Sequence, residues 1–199
     1  MNNTFYRFPD EKSISGWKNR TPPGFRFTVK ANRYFTHVKK LRADTDFKDS
    51  LYRFFKEISL LGEKLCCILW QLPGNLRMDI QRLEKFIGLL NSSFNHVIEF
   101  RHPSWFNKDV YNLMCEQNIS FCMISAPDLP EDIITTNRIG YVRFHGRTNW
   151  YRYLYTADEL QKWKNQLISL PVEELYIYFN NDVDANSVTN AYQLIDMFR

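Results

Sequence analysis

Short apolar segments of strand length alternate with amphipathic helical segments along most of this 199-residue chain. The clearest apolar segment is Leu65–Gln71, LCCILWQ, which is apolar at odd and even positions until Gln71 and is followed by Pro73-Gly74. A strand that is apolar on both faces is typical of a parallel sheet, because helices cover both of its sides. The alternation therefore predicts an α/β fold built from βαβ units.

The hydrophobic pattern divides the chain into six main strands and the helices between them. The predicted strands are Phe25–Lys30, Leu65–Gln71, Val97–Arg101, Ser120–Ser125, Ile139–His145 and Glu174–Asn180, with Thr4–Phe8 predicted as the tail of a further strand. The predicted helices are Ser13–Arg20, Phe47–Leu61, Asp79–Leu90, Lys108–Gln117, Ala157–Leu170 and Ala185–Phe198. No glycine-rich phosphate loop follows the first strand, which favours a TIM-barrel-like (β/α) barrel over a dinucleotide-binding sheet. We predict a single domain over residues 1–199 and no nucleotide cofactor.

Charge and cysteine usage exclude several classes of protein. The formal net charge is +4 without a basic tail, so only a modest attraction to anions is expected. The four cysteines form no C-x-x-C pair, which indicates neither a zinc knuckle nor a disulfide framework and fits a reducing cytosol. No apolar run approaches the roughly 18 residues of a membrane span, and the N-terminus does not resemble a signal peptide, so we expect a cytoplasmic protein.

Polar side chains gather where the predicted strands end. Side chains alternate along a strand, and the outward face of a barrel strand must be apolar to pack against helices. The polar ends therefore predict an inward-facing set at the mouth of the barrel, where TIM barrels carry their sites. That set comprises Thr28/Lys30, Leu69/Gln71, Glu99/Arg101, Arg143/His145 and Tyr178/Asn180, with His37, His102 and Asp182 in loops on the same side.

The predicted set holds three cations, Lys30, Arg101 and Arg143, against the carboxylate of Glu99. Such an excess favours a ligand with phosphate or carboxylate groups, because arginine forms forked hydrogen bonds and lysine supplies a point charge. The alternative is that Glu99 pairs with an arginine only to neutralise buried charge. His145 can act as a general acid or base, or be a packed residue without a chemical role. His96, at the start of its strand, is predicted to serve stability.

Two further interpretations of the strand ends stay open. A divalent metal is possible, with Glu99, His102, His145 and Asp182 as candidate ligands, although no local spacing such as H-E-x-x-H supports it. The aromatic side chains near the predicted mouth can stack on bases or sugars, or form a hydrophobic lid. They are Trp105, Trp150, Tyr151, Tyr153 and Tyr155.

Six motifs along the chain carry a family resemblance. They are TFYRFP at Thr4–Pro9, TPPGFRFTVKANRYFTH at Thr21–His37, QLP at Gln71–Pro73, EFRHPSW at Glu99–Trp105, VRFHG at Val142–Gly146 and YFNND at Tyr178–Asp182. Together they resemble the domain of unknown function 72 family, the YecE-like proteins. The resemblance runs the whole length of the chain and implies a TIM-barrel-like fold without an established activity. Family motif positions carried over to this chain are Lys30, Asn32, His37, Gln71, Glu99, Arg101, His102, Trp105, Arg143, His145, Gly146, Asn180, Asn181 and Asp182.

The resemblance also implies a departure at the N-terminus. Family members carry a first strand and helix before the stretch that matches Asn2–Tyr6, whereas this sequence starts almost at TFY. We therefore expect a barrel that is incomplete at its N-terminus and exposes a sheet edge, unless the true start lies upstream.

These residues lead to two hypotheses of function. The first is an enzyme that acts on a phosphoester: Glu99 and His145 are catalytic, and substrate is bound by Lys30, Asn32, Gln71, Arg101, Arg143, Asn180 and Asp182. The second is a non-catalytic module that binds an anionic metabolite or nucleic acid, in which case affinity falls steeply with salt. A shortened form that has lost its function is a third possibility. The sequence does not indicate the oligomeric state.

Overall fold

A computed structural model describes residues 1–199 and divides them into two compact units, residues 1–102 and residues 103–199. Each unit contains three strands, and the paired strands run parallel. The α/β class with parallel strands is thereby confirmed. No helix has both the length and the apolar character that a membrane crossing requires.

The first unit contains four α-helices and three strands. In chain order they are α1 (Asn3–Tyr6), α2 (Glu11–Asn19), β1 (Phe27–Lys30), α3 (Thr45–Ser59), β2 (Leu65–Gln71), α4 (Ile80–Ile87) and β3 (His96–Glu99). A π-helix spans Tyr34–Val38, and a 3-10 turn spans Gly62–Lys64. Three helices have an aspartate N-cap whose side chain accepts a backbone hydrogen bond: Asp10 for α2, Asp44 for α3 and Asp79 for α4.

Trp70 of β2 is the centre of the first unit's core. Its fully buried ring packs edge-on against Phe35 and against Phe54 of α3, and lies 5.1 Å from the ring of Phe86 of α4. Because side chains alternate along a strand, Leu69 and Gln71 point away from these helices. Leu69 and Gln71 therefore lie on the face of β2 opposite the helices, which is the face predicted for them.

The second unit contains three α-helices and three strands. In chain order they are α5 (Lys108–Glu116), β4 (Ser120–Ser125), β5 (Ile139–Phe144), α6 (Ala157–Leu167), β6 (Glu174–Phe179) and α7 (Asn186–Phe198). Two 3-10 turns span Pro103–Trp105 and Val183–Ala185. Phe144 packs against Trp163 of α6 at 4.9 Å between ring centroids and stacks on Phe179 of β6. The neighbouring residue Arg143 therefore faces away from α6.

The N-terminal segment differs from its prediction. Thr4–Phe8 was expected to be the tail of a strand, but Asn3–Tyr6 forms one helical turn. The backbone of Met1 instead lies beside β1: its amine donates to the carbonyl of Thr28, and its carbonyl accepts from Lys30 at 3.1 Å. The alternation of TFYRF over five residues is too short to separate a strand from a single helical turn.

Candidate functional site

The ends of β1, β2 and β3 place several predicted site residues on one face of the first unit. Lys30 is paired in register with Leu69, and Gln71 is paired with Glu99. Paired residues of parallel strands project to the same side of the sheet. The predicted alignment of Lys30, Gln71 and Glu99 at the carboxyl edge of these strands therefore holds within this unit.

Glu99 and Arg101 form an ion pair at this edge. The Glu99 side chain is fully buried, the Arg101 side chain is 9% exposed, and Arg101 Nε donates to Glu99 Oε1. Strand β3 ends at Glu99, two residues earlier than predicted, so Arg101 lies beyond the strand. A buried carboxylate requires such a partner, and the pair fixes the direction of the guanidinium. Neutralising the largely buried Arg101 side chain, the alternative predicted for Glu99, is thus one of its roles.

Lys30 and Asn32 tie the end of β1 to α1. The ammonium group of Lys30 lies 3.9 Å from the centre of the Phe5 ring, which is a cation–π contact. The buried amide of Asn32 donates to the carbonyl of Thr4 at 2.9 Å and accepts from the amide of Tyr34 at 2.9 Å. Asn32 therefore connects α1 to the π-helix through the same groups that a substrate would use.

His37, in the π-helix, sits among cationic side chains. Its ring lies edge-on to Phe5 at 5.0 Å between centroids, and its Nδ1 lies 2.8 Å from Thr36 Oγ1. Partial burial lowers the pKa of His37 to about 4, together with the charges of four cations: Lys30, Arg33, Arg101 and Lys40. The imidazole is thus neutral at pH 7 in a strongly positive field. The sequence placed His37 in a loop on the side of the strand ends and among the family motif positions but assigned it no chemical role.

The second unit places Arg143 beside Asn180. Arg143 is 4% exposed, and its guanidinium donates to Asn180 Oδ1 at 2.7 Å. His145 is fully buried just after β5, with its ring 5.7 Å from that of Trp150. Asp182 is exposed and begins the 3-10 turn before α7. Two predicted substrate-binding residues of this unit are thus in contact, and the aromatic Trp150 lies over His145.

A polar network that the sequence did not reveal fastens the loop after β5. Buried Ser125 donates to Glu131 at 2.6 Å. Arg147 lies 3.4 Å from the Glu131 carboxylate and 3.2 Å from that of Glu159. Tyr153 also donates to Glu159, at 2.8 Å. Charges that are far apart in sequence therefore hold the loop over the carboxyl ends of β4 and β5.

Gly146 begins this loop, and we expect Gly146→Ala to destabilise the protein. Its φ of +107° is unfavourable for residues with a Cβ, and an added Cβ would lie 2.8 Å from Cβ of Tyr153. Backbone strain of this kind costs about 1–3 kcal/mol, to which the clash adds.

Urea unfolding of the variant, with Gly24→Ala as the control, measures the cost. Gly24 also has positive φ, at +82°, but an added Cβ there meets no atom within 4 Å. Equal losses in both variants would contradict a role for close packing at Gly146.

The four candidate metal ligands are divided between the units. Glu99 and His102 belong to the first, and His145 and Asp182 belong to the second. No group of three or more His, Cys, Asp or Glu side chains is arranged to hold a metal ion. The donor geometry in the structure therefore gives the metal hypothesis no added support.

These observations define an α/β protein with a cationic cluster at the carboxyl edge of parallel strands. The whole chain, residues 1–199, matches the family described as protein of unknown function DUF72, and the chain belongs to that family. The resemblance inferred from the motifs is thus confirmed.

The names of two curated relatives give a family designation and no activity. UPF0759 protein YunF of Bacillus subtilis is 25% identical over 231 aligned positions, which cover 98% of this chain and 80% of YunF. UPF0759 protein YecE of Escherichia coli is 29% identical over 108 positions, covering 54% of this chain and 39% of YecE.

Solved structures of the family show the same fold. A DUF72 family protein of Thermotoga maritima is 28% identical with a TM-score of 0.83, over 98% of this chain and 82% of that one. A DUF72 family protein of Enterococcus faecalis is 22% identical with a TM-score of 0.87, over 100% of this chain and 88% of that one.

Proposed function

We propose that this protein binds a phosphate-containing ligand at the carboxyl edge of β1–β3 and acts on a phosphoester bond of that ligand. The observation that carries the proposal is the charge around His37. Four cations act on this imidazole, whereas Glu99, the carboxylate at the end of β3, is already bonded to Arg101. An anion entering this edge is attracted by the positive charge that Glu99 leaves uncompensated.

Each group would have a distinct role in holding such a ligand. Arg101, aimed by Glu99, would donate to phosphate oxygens, and Lys30 would supply a point charge. The neutral His37 ring offers Nε2 as a further donor or as an acceptor of a proton. Anion binding would offset the surrounding positive charge and raise the His37 pKa toward its ordinary value, where the ring is a better general base.

We propose anion binding separately for the predicted residues of the second unit. There Arg143, held by Asn180, would bind a phosphate oxygen, and Asp182 would orient the substrate. Glu99 of the first unit and His145 of the second each stay a predicted catalytic residue. We also propose a TIM-barrel-like arrangement, supported by the repeated parallel β–α pattern in both units. A cytoplasmic location is proposed from the four free cysteines.

A non-catalytic binding module is the second candidate. It is favoured by the burial of Glu99, whose carboxylate is fully shielded and engaged by Arg101 rather than open to a reacting group. Such a module would bind an anionic metabolite or nucleic acid, and its affinity would fall steeply with ionic strength while no product forms.

Thermal melts with inorganic phosphate, mononucleotides and short oligonucleotides test the binding step. A ligand at about 100 times its Kd adds roughly 2.7 kcal/mol, which raises Tm by about 5–11 °C in a domain of this size. Lys30→Gln should reduce this shift, whereas Lys48→Gln on the exposed face of α3 should leave it unchanged. Equal shifts in both variants, or none with any phosphate compound in the unaltered protein, would argue against the site.

Turnover of a chromogenic phosphodiester separates the enzyme from the binding module. The enzyme proposal expects nitrophenol release that Glu99→Gln abolishes while the melt stays cooperative. Phosphate binding without release under any condition would leave the binding module as the function.

A further inference from the structure

A cavity of about 260 Å³ lies on the first unit, and none of the residues that line it belongs to a strand. One wall is the segment after α1, which contributes Phe8 and Pro9, and the other wall is α3. Ser50, Arg53, Phe54 and Glu57 line the α3 side. Their spacing of three, four and seven residues places all four on one stripe of the helix.

The apolar part of this cavity is aromatic and rigid. Phe54 is 1% exposed and is held by the ring of Trp70 at 6.0 Å between centroids. Phe8 is 45% exposed and packs edge-on against Phe35 at 5.6 Å. Phe8 therefore offers most of the apolar surface for a group of modest size, and the edge of the Phe54 ring forms the base of the cavity.

The polar part of the cavity holds two opposite charges that do not neutralise each other. Glu57 Oε2 is buried and accepts no hydrogen bond. Arg53 lies one turn earlier on the same stripe, a spacing at which oppositely charged side chains commonly pair, yet no ion pair joins it to Glu57. A buried carboxylate oxygen without a donor is costly, and native proteins rarely leave one unsatisfied.

We infer that this cavity binds a small zwitterion, an amino-acid-like molecule that carries an ammonium group, a carboxylate and an apolar body. The ammonium group would donate to Glu57, the carboxylate would accept from Arg53, and the apolar body would pack on Phe8 and Phe54. A purely cationic ligand is opposed by Arg53, and a purely anionic ligand is opposed by Glu57. Only a molecule with both charges satisfies both side chains. This inference does not depend on the proposed phosphate site.

Calorimetric titration with L-leucine and L-phenylalanine, supported by NMR, tests the inference. Two truncated probes separate the charges: 4-methylpentanoate lacks the amine of leucine, and 3-methylbutylamine lacks its carboxylate. We expect an amino acid to bind and each truncated analogue to bind at least about tenfold more weakly, which is the effect of one lost charge-assisted hydrogen bond. No binding of either amino acid, or equal binding of leucine and its analogues, overturns the inference.

Variants on α3 locate the site. Glu57→Gln should weaken leucine binding about tenfold or more but should not weaken binding of 4-methylpentanoate, because that probe has no amine to lose a partner and is freed from the repulsion of the Glu57 carboxylate. Asp49→Asn removes the same charge from the same helix outside the cavity and should change neither affinity. Arg53→Gln, with Lys56→Gln as its control, should weaken leucine binding but should not weaken binding of 3-methylbutylamine, which is freed from the repulsion of the guanidinium. If the cavity variants and their controls have the same effect, the inference fails.

Discussion

Replacing Arg101 by methionine is expected to lower the free energy of unfolding by about 3 kcal/mol. The Glu99 carboxylate is fully buried, and the substitution removes the guanidinium that donates to it. Removing one partner of a buried ion pair costs far more than the pair contributes, because the remaining charge stays desolvated. Urea unfolding at pH 7 measures the loss, and the Arg82–Asp79 pair provides the control. That pair is 2.9 Å apart but substantially exposed, so Arg82→Met should cost less than about 1 kcal/mol.

A double substitution separates stability from ligand binding at the same pair. Glu99→Leu with Arg101→Met removes both charges and should recover most of the lost stability, because an apolar pair of similar volume suits a buried site. Phosphate affinity should not recover, since the guanidinium is still absent. Restored binding in the double variant would show that Arg101 does not hold the anion, whereas a single variant as stable as the unaltered protein would show that the pair has no structural role.

The strands and most helices could be predicted because their pattern is local. Leu65–Gln71 and Ser120–Ser125 have the predicted bounds, since buried strands between turn signals carry a short unbroken apolar run. The end of β3 was predicted two residues late, at Arg101. Hydrophobic pattern does not report where the hydrogen bonding of a ladder stops, which depends on the neighbouring strand.

The candidate site was only partly predictable, for a reason that lies in the π-helix Tyr34–Val38. Alternation along a strand indicated that Lys30 and Glu99 face the same side, because strand period and register are regular. His37 was predicted only as part of a loop on that side. A π-helix has neither the strand period nor the ordinary helical period, so the sequence could not indicate that it would set the His37 ring in the field of Lys30 and Arg101. Asn32 shows the converse: its position in the family motif suggested ligand binding, and in the structure its amide joins backbone segments.

Acid sensitivity centred on His96 is the second large expected effect. His96 is 2% exposed, and burial lowers its pKa from 6.5 to about 4, against a smaller opposite effect from the carbonyl of Asn91. The unfolded chain therefore takes up a proton at higher pH than the folded one. The stability due to the neutral ring is complete above about pH 6.5 and is lost as the pH falls toward 4. Since one pKa unit corresponds to 1.36 kcal/mol, the loss from pH 7 to pH 4 should be about 3 kcal/mol.

The hydrogen bonds of His96 explain why the neutral form is required and supply the control. Trp70 Nε1 can only donate, so Nδ1 of His96 accepts that bond at 3.1 Å, and Nε2 donates to the carbonyl of Asn91 at 2.9 Å. Protonation places a hydrogen on Nδ1 opposite the indole donor.

Glutamine offers one acceptor and one donor without titrating, so His96→Gln should flatten the pH dependence of urea unfolding between pH 7 and pH 4. His37 shifts in the same direction but is partly exposed, and His37→Gln should flatten the profile less. An unchanged acid profile in His96→Gln would place the titrating group elsewhere, and an equal effect of both variants would show that burial does not set the size of the shift.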